Sequence, residues 1–200
     1  MTKILVLGGG PAGYVAAGRA AQLGAEVTLV EAREIGGTCL NRGCVPTKAM
    51  VAGAERLHEA RRGADYGVVT GAVSLDFDAF MARKDAVTSR LRDGVAHLLR
   101  TRRVQVVTGR GTLAGRGRIR LEPGATLPDG TVLAQGAELE GDAVILATGS
   151  EPVRMGLFDW EDPRILTSDE LLRIDHVPPS LAIVGGGVIG CEFASVFNRL

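Results

Sequence analysis

The chain has 200 residues, of which 46% are hydrophobic and 28 are glycines, the composition of a core-forming protein rich in tight turns. Its 23 acidic and 23 basic residues cancel to a formal net charge of zero, which leaves no electrostatic footprint for nucleic acid or an anionic membrane. The apolar run after Met1-Thr2-Lys3 is far too short for a signal-peptide core or a membrane span. A cytoplasmic location is therefore the default expectation, and an organelle protein stripped of its transit peptide would read the same.

Ile4 to Leu7 is uniformly apolar, as expected of a strand buried on both faces of a parallel sheet. It runs into Gly8-Gly9-Gly10-Pro11-Ala12-Gly13, which fits G-x-G-x-x-G. The pattern predicts a helix to about Leu23, closed by Gly24, and a second strand over Ala25 to Val30 that closes on Glu31. Strand, glycine turn, helix, strand and acid stand in the order of a dinucleotide-binding βαβ unit. Gly8 allows the tight turn, Gly10 lets a pyrophosphate approach the backbone, and Gly13 allows close helix–strand packing. Glu31 can accept hydrogen bonds from a ribose diol. Glycine turns without ligands are common, so the flanking strands and the acid carry this assignment.

The next stretch, Gly36-Gly37-Thr38-Cys39-Leu40-Asn41-Arg42-Gly43-Cys44-Val45-Pro46-Thr47-Lys48, places two cysteines five positions apart where a glycine-rich loop enters a helix. Pro46 suits a first-turn helical position. Cys44 then lies beside a helix N-terminus, where the macrodipole and unpartnered N–H groups favour anionic sulfur, and Cys39 lies one turn back. That is the arrangement of a reversible dithiol/disulfide couple. A structural disulfide is disfavoured without a secretory context. A zinc site would need further ligands at short spacing, and Cys191, His58, His97 and His176 are scattered singly, so no metal is expected. On spacing alone, two inert buried thiols stay open beside the redox reading.

Thr47 to about Arg62 carries Met50, Ala54, Leu57 and Arg61 at helical spacing, with Lys48 one turn beyond Cys44 on the same face. Lys48 reads equally as a solvated helix lysine or as part of the reactive centre. Gly63 to Ala72 is an irregular connection, and Asp76 to Arg103 an amphipathic helix covering a sheet. Val104 to Thr108 is a short strand followed by Gly109-Arg110-Gly111. Arg118 to Leu121 and Thr131 to Ala134 flank Pro128-Asp129-Gly130 and read as antiparallel hairpin strands. The cluster Arg110, Arg116, Arg118 and Arg120 reads as a solvated face. Ala143 to Ala147 is a buried strand that ends at Thr148-Gly149-Ser150.

From Glu151 prolines interrupt a connecting stretch, with a short helix around Ser168 to Arg173 and Ser168 as its N-cap. Leu181 to Val184 then reads as a strand entering Gly185-Gly186-Gly187-Val188-Ile189-Gly190, a second G-x-G-x-x-G that opens a helix bearing Cys191 and Glu192. Cys191 reads as a buried small residue without chemistry. Two such units imply two nucleotide cofactors or one internal duplication. The strand that would carry an acid selecting NAD over NADP falls beyond Leu200.

Two dinucleotide units bracketing a Cys-x4-Cys pair resemble the flavoprotein disulfide reductases over the whole chain. Leu40-Asn41 and Val45-Pro46-Thr47-Lys48-Ala49, with the second unit's Gly-Gly-Gly-Val-Ile-Gly-Cys-Glu-Phe-Ala, look most like the dihydrolipoamide dehydrogenase branch. Val45 and Thr47 replace the commoner Ile and Ser. The resemblance implies an α/β fold: a Rossmann-like FAD-binding domain over 1–150, with a parallel sheet and a small antiparallel insertion, then a connection and the start of a Rossmann-like NAD-binding domain over 151–200.

It further implies that Gly8, Gly10, Pro11, Ala12 and Gly13 hold the FAD pyrophosphate, and Glu31 and Ala32 the adenosine ribose. Gly37, Thr38, Gly111, Ala147, Thr148 and Gly149 would contact the flavin nucleotide. Cys44 would face the isoalloxazine ring, Cys39 would exchange with the substrate dithiol, and Lys48 would lie near the flavin, paired with Glu192. Gly185, Gly187, Val188, Ile189 and Gly190 would hold NAD. The implied activity is oxidation of protein-bound dihydrolipoamide with reduction of NAD+. The implied partners are the lipoyl domain of a 2-oxoacid dehydrogenase complex and a second subunit in a homodimer. A mercuric or glutathione-type reductase is the nearest rival, and a non-catalytic flavin-binding module the rival from another class.

The acid–base histidine that the resemblance calls for has no match here, because His58, His97 and His176 stand in other contexts. These 200 residues expressed alone are therefore expected not to turn over dihydrolipoamide. NADH formation from dihydrolipoamide and NAD+ measures this, and a rate near that of an intact enzyme would contradict it.

Overall fold

A computed structural model describes residues 1–200. In chain order, β1 (Lys3–Leu7), α1 (Pro11–Gln22) and β2 (Glu26–Glu31) are followed by α2 (Gly37–Arg42) and α3 (Cys44–Arg61). A short 3-10 turn at Gly63–Tyr66 precedes α4 (Phe77–Thr101), β3 (Gln105–Thr108), β4 (Gly111–Gly115) and β5 (Arg118–Leu121). Then come β6 (Glu138–Glu140), β7 (Ala143–Leu146), α5 (Ser168–Leu171) and α6 (Val188–Phe197). The chain divides into two compact units, Met1–Asn41 with Arg90–Glu151, and Arg42–Ser89 with Pro152–Leu200.

The first unit is built on a parallel sheet of order β3-β2-β1-β7. Its register explains why β1 is apolar throughout. Val6 pairs with Leu29 and Ile145, while Leu5 pairs with Thr28 and Val144, so neighbouring positions face opposite sides together. One face carries Val6, Val27 and Leu29 against Ala17 of α1 and Leu99 of α4. The other carries Leu5, Leu7, Val30 and Val107 against Ile119 and Leu121 of an antiparallel sheet of order β4-β5-β6. Both faces of the central strands β1 and β2 are covered, as a parallel sheet requires, while Leu146 on the edge strand β7 is exposed.

The hairpin differs from the expectation. Arg118–Leu121 pairs with Gly111–Gly115 and Glu138–Glu140, and Thr131–Ala134 is not a strand of that sheet. The turn at Pro128-Asp129-Gly130 does form, but it pairs Leu127 N–H with the Thr131 carbonyl at 2.9 Å and leaves a single bridge, Thr126 with Val132. A turn that reverses so soon uses 125–127 as the partner of 131–133 and leaves β5 to its neighbours. The arginines are exposed, and Arg120 pairs with Glu138 at 2.7 Å, while Arg110 lies 4.0 Å from Glu122.

The second unit packs α3, the first turns of α4, α5 and α6 around Met50, Ala54, Leu171, Leu172, Phe193 and Val196. Its one buried cation, Lys84, donates to the Leu172 carbonyl at 2.6 Å and pairs with Asp85 at 2.9 Å. The N-cap of α5 is Thr167 rather than Ser168. Glu170 accepts the Thr167 N–H at 2.6 Å, and this bond holds the Glu170 carboxyl below its usual range. Leu181–Val184 forms no ladder, since these residues have no adjacent strand with which to pair. No helix is long and apolar enough to cross a membrane.

Leu29 is fully buried and Leu91 is 46% exposed. Leu29→Ala is expected to lower the unfolding free energy by about 2–5 kcal/mol, and Leu91→Ala by roughly 0.5 kcal/mol or less, measured by urea denaturation.

Candidate functional site

The carboxyl ends of β1, β2 and β7 converge on the first glycine turn. Gly8 has a φ of +105°, a conformation suited to glycine, and its N–H donates to the Val30 carbonyl at 2.8 Å. A Cβ on Gly8 would strike the Ala147 carbonyl, and a Cβ on Gly13 would strike the Gly8 carbonyl. These two glycines are thus required by packing. Gly10 is different: a Cβ there would lie 3.7 Å from the nearest atom, the Gly37 Cα, which is ordinary contact. Gly10 is also the N-cap of α1, and no side chain caps that helix end. Its open N–H groups and the helix dipole suit a phosphate. β1 lies between β2 and β7, where the strand order reverses, and such a crevice is where open α/β sheets bind ligands. The donor set fits a dinucleotide pyrophosphate.

Glu31 braces this turn. Its carboxylate accepts the Gly9 N–H at 2.6 Å and the Arg33 N–H at 2.8 Å. Each oxygen retains a lone pair for a ribose hydroxyl. Arg33 in turn pairs with Glu151 at 3.1 Å, joining the loops that follow β2 and β7. Sequence reasoning did not single out that pair, and neither residue lies in a recognisable motif. Ala147 donates to the Leu7 carbonyl at 2.8 Å, while Thr148 and Gly149 are exposed beyond it. Gly111 has a packing reason of its own, because a Cβ there would meet Ile119 at 2.9 Å and Leu7 at 3.1 Å.

Gly36 and Gly37 turn the chain into α2, with the Gly36 N–H donating to the Gly9 carbonyl at 2.9 Å. Gly37 packs on Gly10: a Cβ at Gly37 would fall 2.5 Å from the Gly10 Cα. Cys39 sits within α2, half-buried, and Thr38 beside it is exposed. Cys39 thus has a short helix of its own, an element not expected from the sequence.

In the second unit α3 begins at Cys44, three residues before the expected start, because Gly43 serves as N-cap and Pro46 fits the first turn. Cys44 is exposed. Thr47 donates its hydroxyl to the Gly43 carbonyl at 2.7 Å, closing that turn. Lys48 Nζ forms an ion pair with Glu192 Oε1 of α6. The second glycine turn repeats the first. Gly185 has a φ of +111°, Gly187 is the uncapped N-cap of α6, and a Cβ on Gly190 would strike the Gly185 carbonyl. Val188 and Ile189 are exposed on its first turn. Cys191, expected to be buried, is exposed, with its thiol 3.4 Å from the Gly186 carbonyl.

Residues 2–200 match the pyridine nucleotide-disulphide oxidoreductase family, and the chain belongs to that family. It is 43% identical over 199 residues to a dihydrolipoyl dehydrogenase of Chlamydia trachomatis, covering 98% of this chain and 40% of that protein. A dihydrolipoyl dehydrogenase of Bacillus subtilis is 42% identical over 195 residues, with 98% and 41% covered. Among solved structures, LpdA from Mycobacterium tuberculosis superposes with a TM-score of 0.82 at 30% identity, covering 100% of this chain and 43% of that one. The flavoprotein disulfide reductase RclA from Escherichia coli gives 0.78 at 28% identity, with 98% and 40% covered. The chain therefore spans about 40% of the length of these relatives.

The two kinds of glycine separate in a stability measurement. Gly10→Ala is expected to unfold within roughly 0.5 kcal/mol of the parent. Gly13→Ala is expected to lose at least about 2 kcal/mol, or to fail to fold, because its methyl group has backbone oxygen in its place.

Proposed function

We propose that the protein carrying this chain is a dihydrolipoyl dehydrogenase that oxidises protein-bound dihydrolipoamide to lipoamide through Cys39 and Cys44 and reduces NAD+. The observation that carries this reading is the Lys48–Glu192 pair, which ties the helix that starts at Cys44 to the helix that starts at the second glycine turn. Lys48 is more than half exposed, and such pairs add little stability, which favours a chemical purpose for the link. The dihydrolipoyl dehydrogenases at 42–43% identity support the same reading.

In this proposal residues 1–150 form the first segment of an FAD domain and 151–200 begin an NAD domain. Gly8, Gly10, Pro11, Ala12 and Gly13 hold the FAD pyrophosphate, with Glu31 and Ala32 at the adenosine ribose. Gly37, Thr38, Gly111, Ala147, Thr148 and Gly149 line the rest of the nucleotide. Gly185, Gly187, Val188, Ile189 and Gly190 take NAD. FAD supplies a two-electron acceptor for the protein dithiol, and NAD+ the final hydride acceptor.

The chain's own chemistry is thiol–disulfide exchange. One thiolate of the dihydrolipoyl group attacks Cys39 Sγ, the protein S–S bond breaks, and Cys44 Sγ leaves as the thiolate at the first residue of α3. The second substrate thiolate then displaces Cys39 from the mixed disulfide. Lipoamide departs with its new S–S bond, and the two electrons stay on the Cys39/Cys44 dithiol. Lys48 and Glu192 set the charge beside Cys44. The partners proposed are a lipoyl domain of a 2-oxoacid dehydrogenase complex and a second subunit.

Steady-state assay of the full-length, FAD-loaded protein tests this. Dihydrolipoamide-dependent NADH formation is expected, with no measurable turnover in Cys39→Ser or Cys44→Ser, and weaker FAD retention in Gly10→Ala. Turnover of Hg(II) or glutathione disulfide with none of dihydrolipoamide would refute the substrate assignment.

A further inference from the structure

The helix that carries Cys39 has only six residues, too few to persist on its own. It is entered through two glycines with positive φ, Gly36 at +100° and Gly37 at +59°, which cost extra conformational entropy to order. The segment therefore needs side-chain ties, and Asn41 within it supplies the first of them. Its Nδ2 donates to the Ile35 and Gly37 carbonyls, each at 3.0 Å, and lies 3.4 Å from the Glu34 carbonyl. Carbonyls only accept, so the amide group must face them and Oδ1 must face away. On that side Arg92 Nη1 of α4 donates to Oδ1 at 3.3 Å.

Arg92 is half-buried on the face of α4 that also presents Val95 and Leu99, and both of those pack against the parallel sheet. The guanidinium is thereby anchored to the core of the unit. A cation on the amide oxygen also polarises the amide N–H groups toward the carbonyls they hold. Gly37, one of the residues tied, lies directly on Gly10 of the glycine turn.

We propose that Arg92 is a positioning residue for the redox segment: acting through Asn41, it holds the Glu34–Gly37 loop and the Cys39 helix in the conformation used for thiol exchange. The proposal rests on Cys39 being the exchanging thiol, and it assigns a role to a helix residue 51 positions from the segment it controls.

The test uses the full-length, FAD-loaded protein and compares Arg92→Ala, Arg92→Lys, Asn41→Ala and the double variant Arg92→Ala/Asn41→Ala. Amide hydrogen exchange is read on peptides spanning 34–41, and iodoacetamide alkylation of Cys39 in the dithiothreitol-reduced protein is read by peptide mass. Arg92→Ala is expected to speed both by about tenfold, the loss of one charge-assisted hydrogen bond to a local opening equilibrium. Arg92→Lys restores most of the protection, and the double variant is no faster than Asn41→Ala alone. Unchanged exchange and alkylation in Arg92→Ala would overturn the proposal, as would additive effects in the double variant. If Asn41→Ala does not fold, the contrast between Arg92→Ala and Arg92→Lys decides. Protection lost as expected in a protein that never turns over dihydrolipoamide would leave the brace standing and remove the redox reading.

Discussion

A side chain at residue 13 has nowhere to go, because the Gly8 carbonyl occupies its place. Helix α1 can therefore start immediately against the end of β1, and much of the first unit follows from that closeness. The helix N-terminus is brought to the carboxyl edge of the sheet, between β2 and β7, with an N-cap that offers no side chain of its own. Glu31 at the end of β2 reaches the same turn through the Gly9 N–H. Gly37 closes on Gly10 from the other side, which fixes where the chain enters the Cys39 helix. One steric constraint thus positions an uncapped helix N-terminus, the Glu31 carboxylate and a thiol-bearing helix together.

The constraint is used twice. Gly190 stands to Gly185 as Gly13 stands to Gly8, and the first glycine of each turn has nearly the same φ, +111° and +105°. The surroundings differ, since a Cβ added at Gly8 would strike the Ala147 carbonyl while one added at Gly185 would meet nothing within 4 Å. The turn conformation is therefore set locally, by the glycines and the helix they open, and does not depend on a completed sheet. Unit 2 gains its stability elsewhere, from the apolar packing of α3 and α6 around Met50, Phe193 and Val196.

Much of this was legible in the sequence because it is written in short-range chemistry. The uniformly apolar β1, the glycine spacing and the acid at Glu31 each report a local requirement, and so did Pro46 at the start of α3. What escaped was set by partners distant in sequence. Thr131–Ala134 has strand composition, yet the Pro128 turn spends it on 125–127. Leu181–Val184 is as apolar as β1 and forms no ladder, because a strand is a relation between segments and not a property of one. Asn41 reads as a motif residue, but the Arg92 that faces it looks like any helix arginine until the fold brings the two together. The exposure of Cys191 escaped for the same reason, since its neighbours decide it.

The central claim is that Cys39 and Cys44 form one redox couple driven by a dithiol substrate. Thiol mapping on the full-length protein addresses it most directly, by alkylating before and after one equivalent of dihydrolipoamide and reading each cysteine by peptide mass. The account predicts that Cys39 and Cys44 are joined and unreactive in the oxidised protein and both become alkylated after reduction, while Cys191 is unchanged between the two states. Alkylation of Cys39 and Cys44 already in the oxidised protein, or no change on adding dihydrolipoamide, would contradict it.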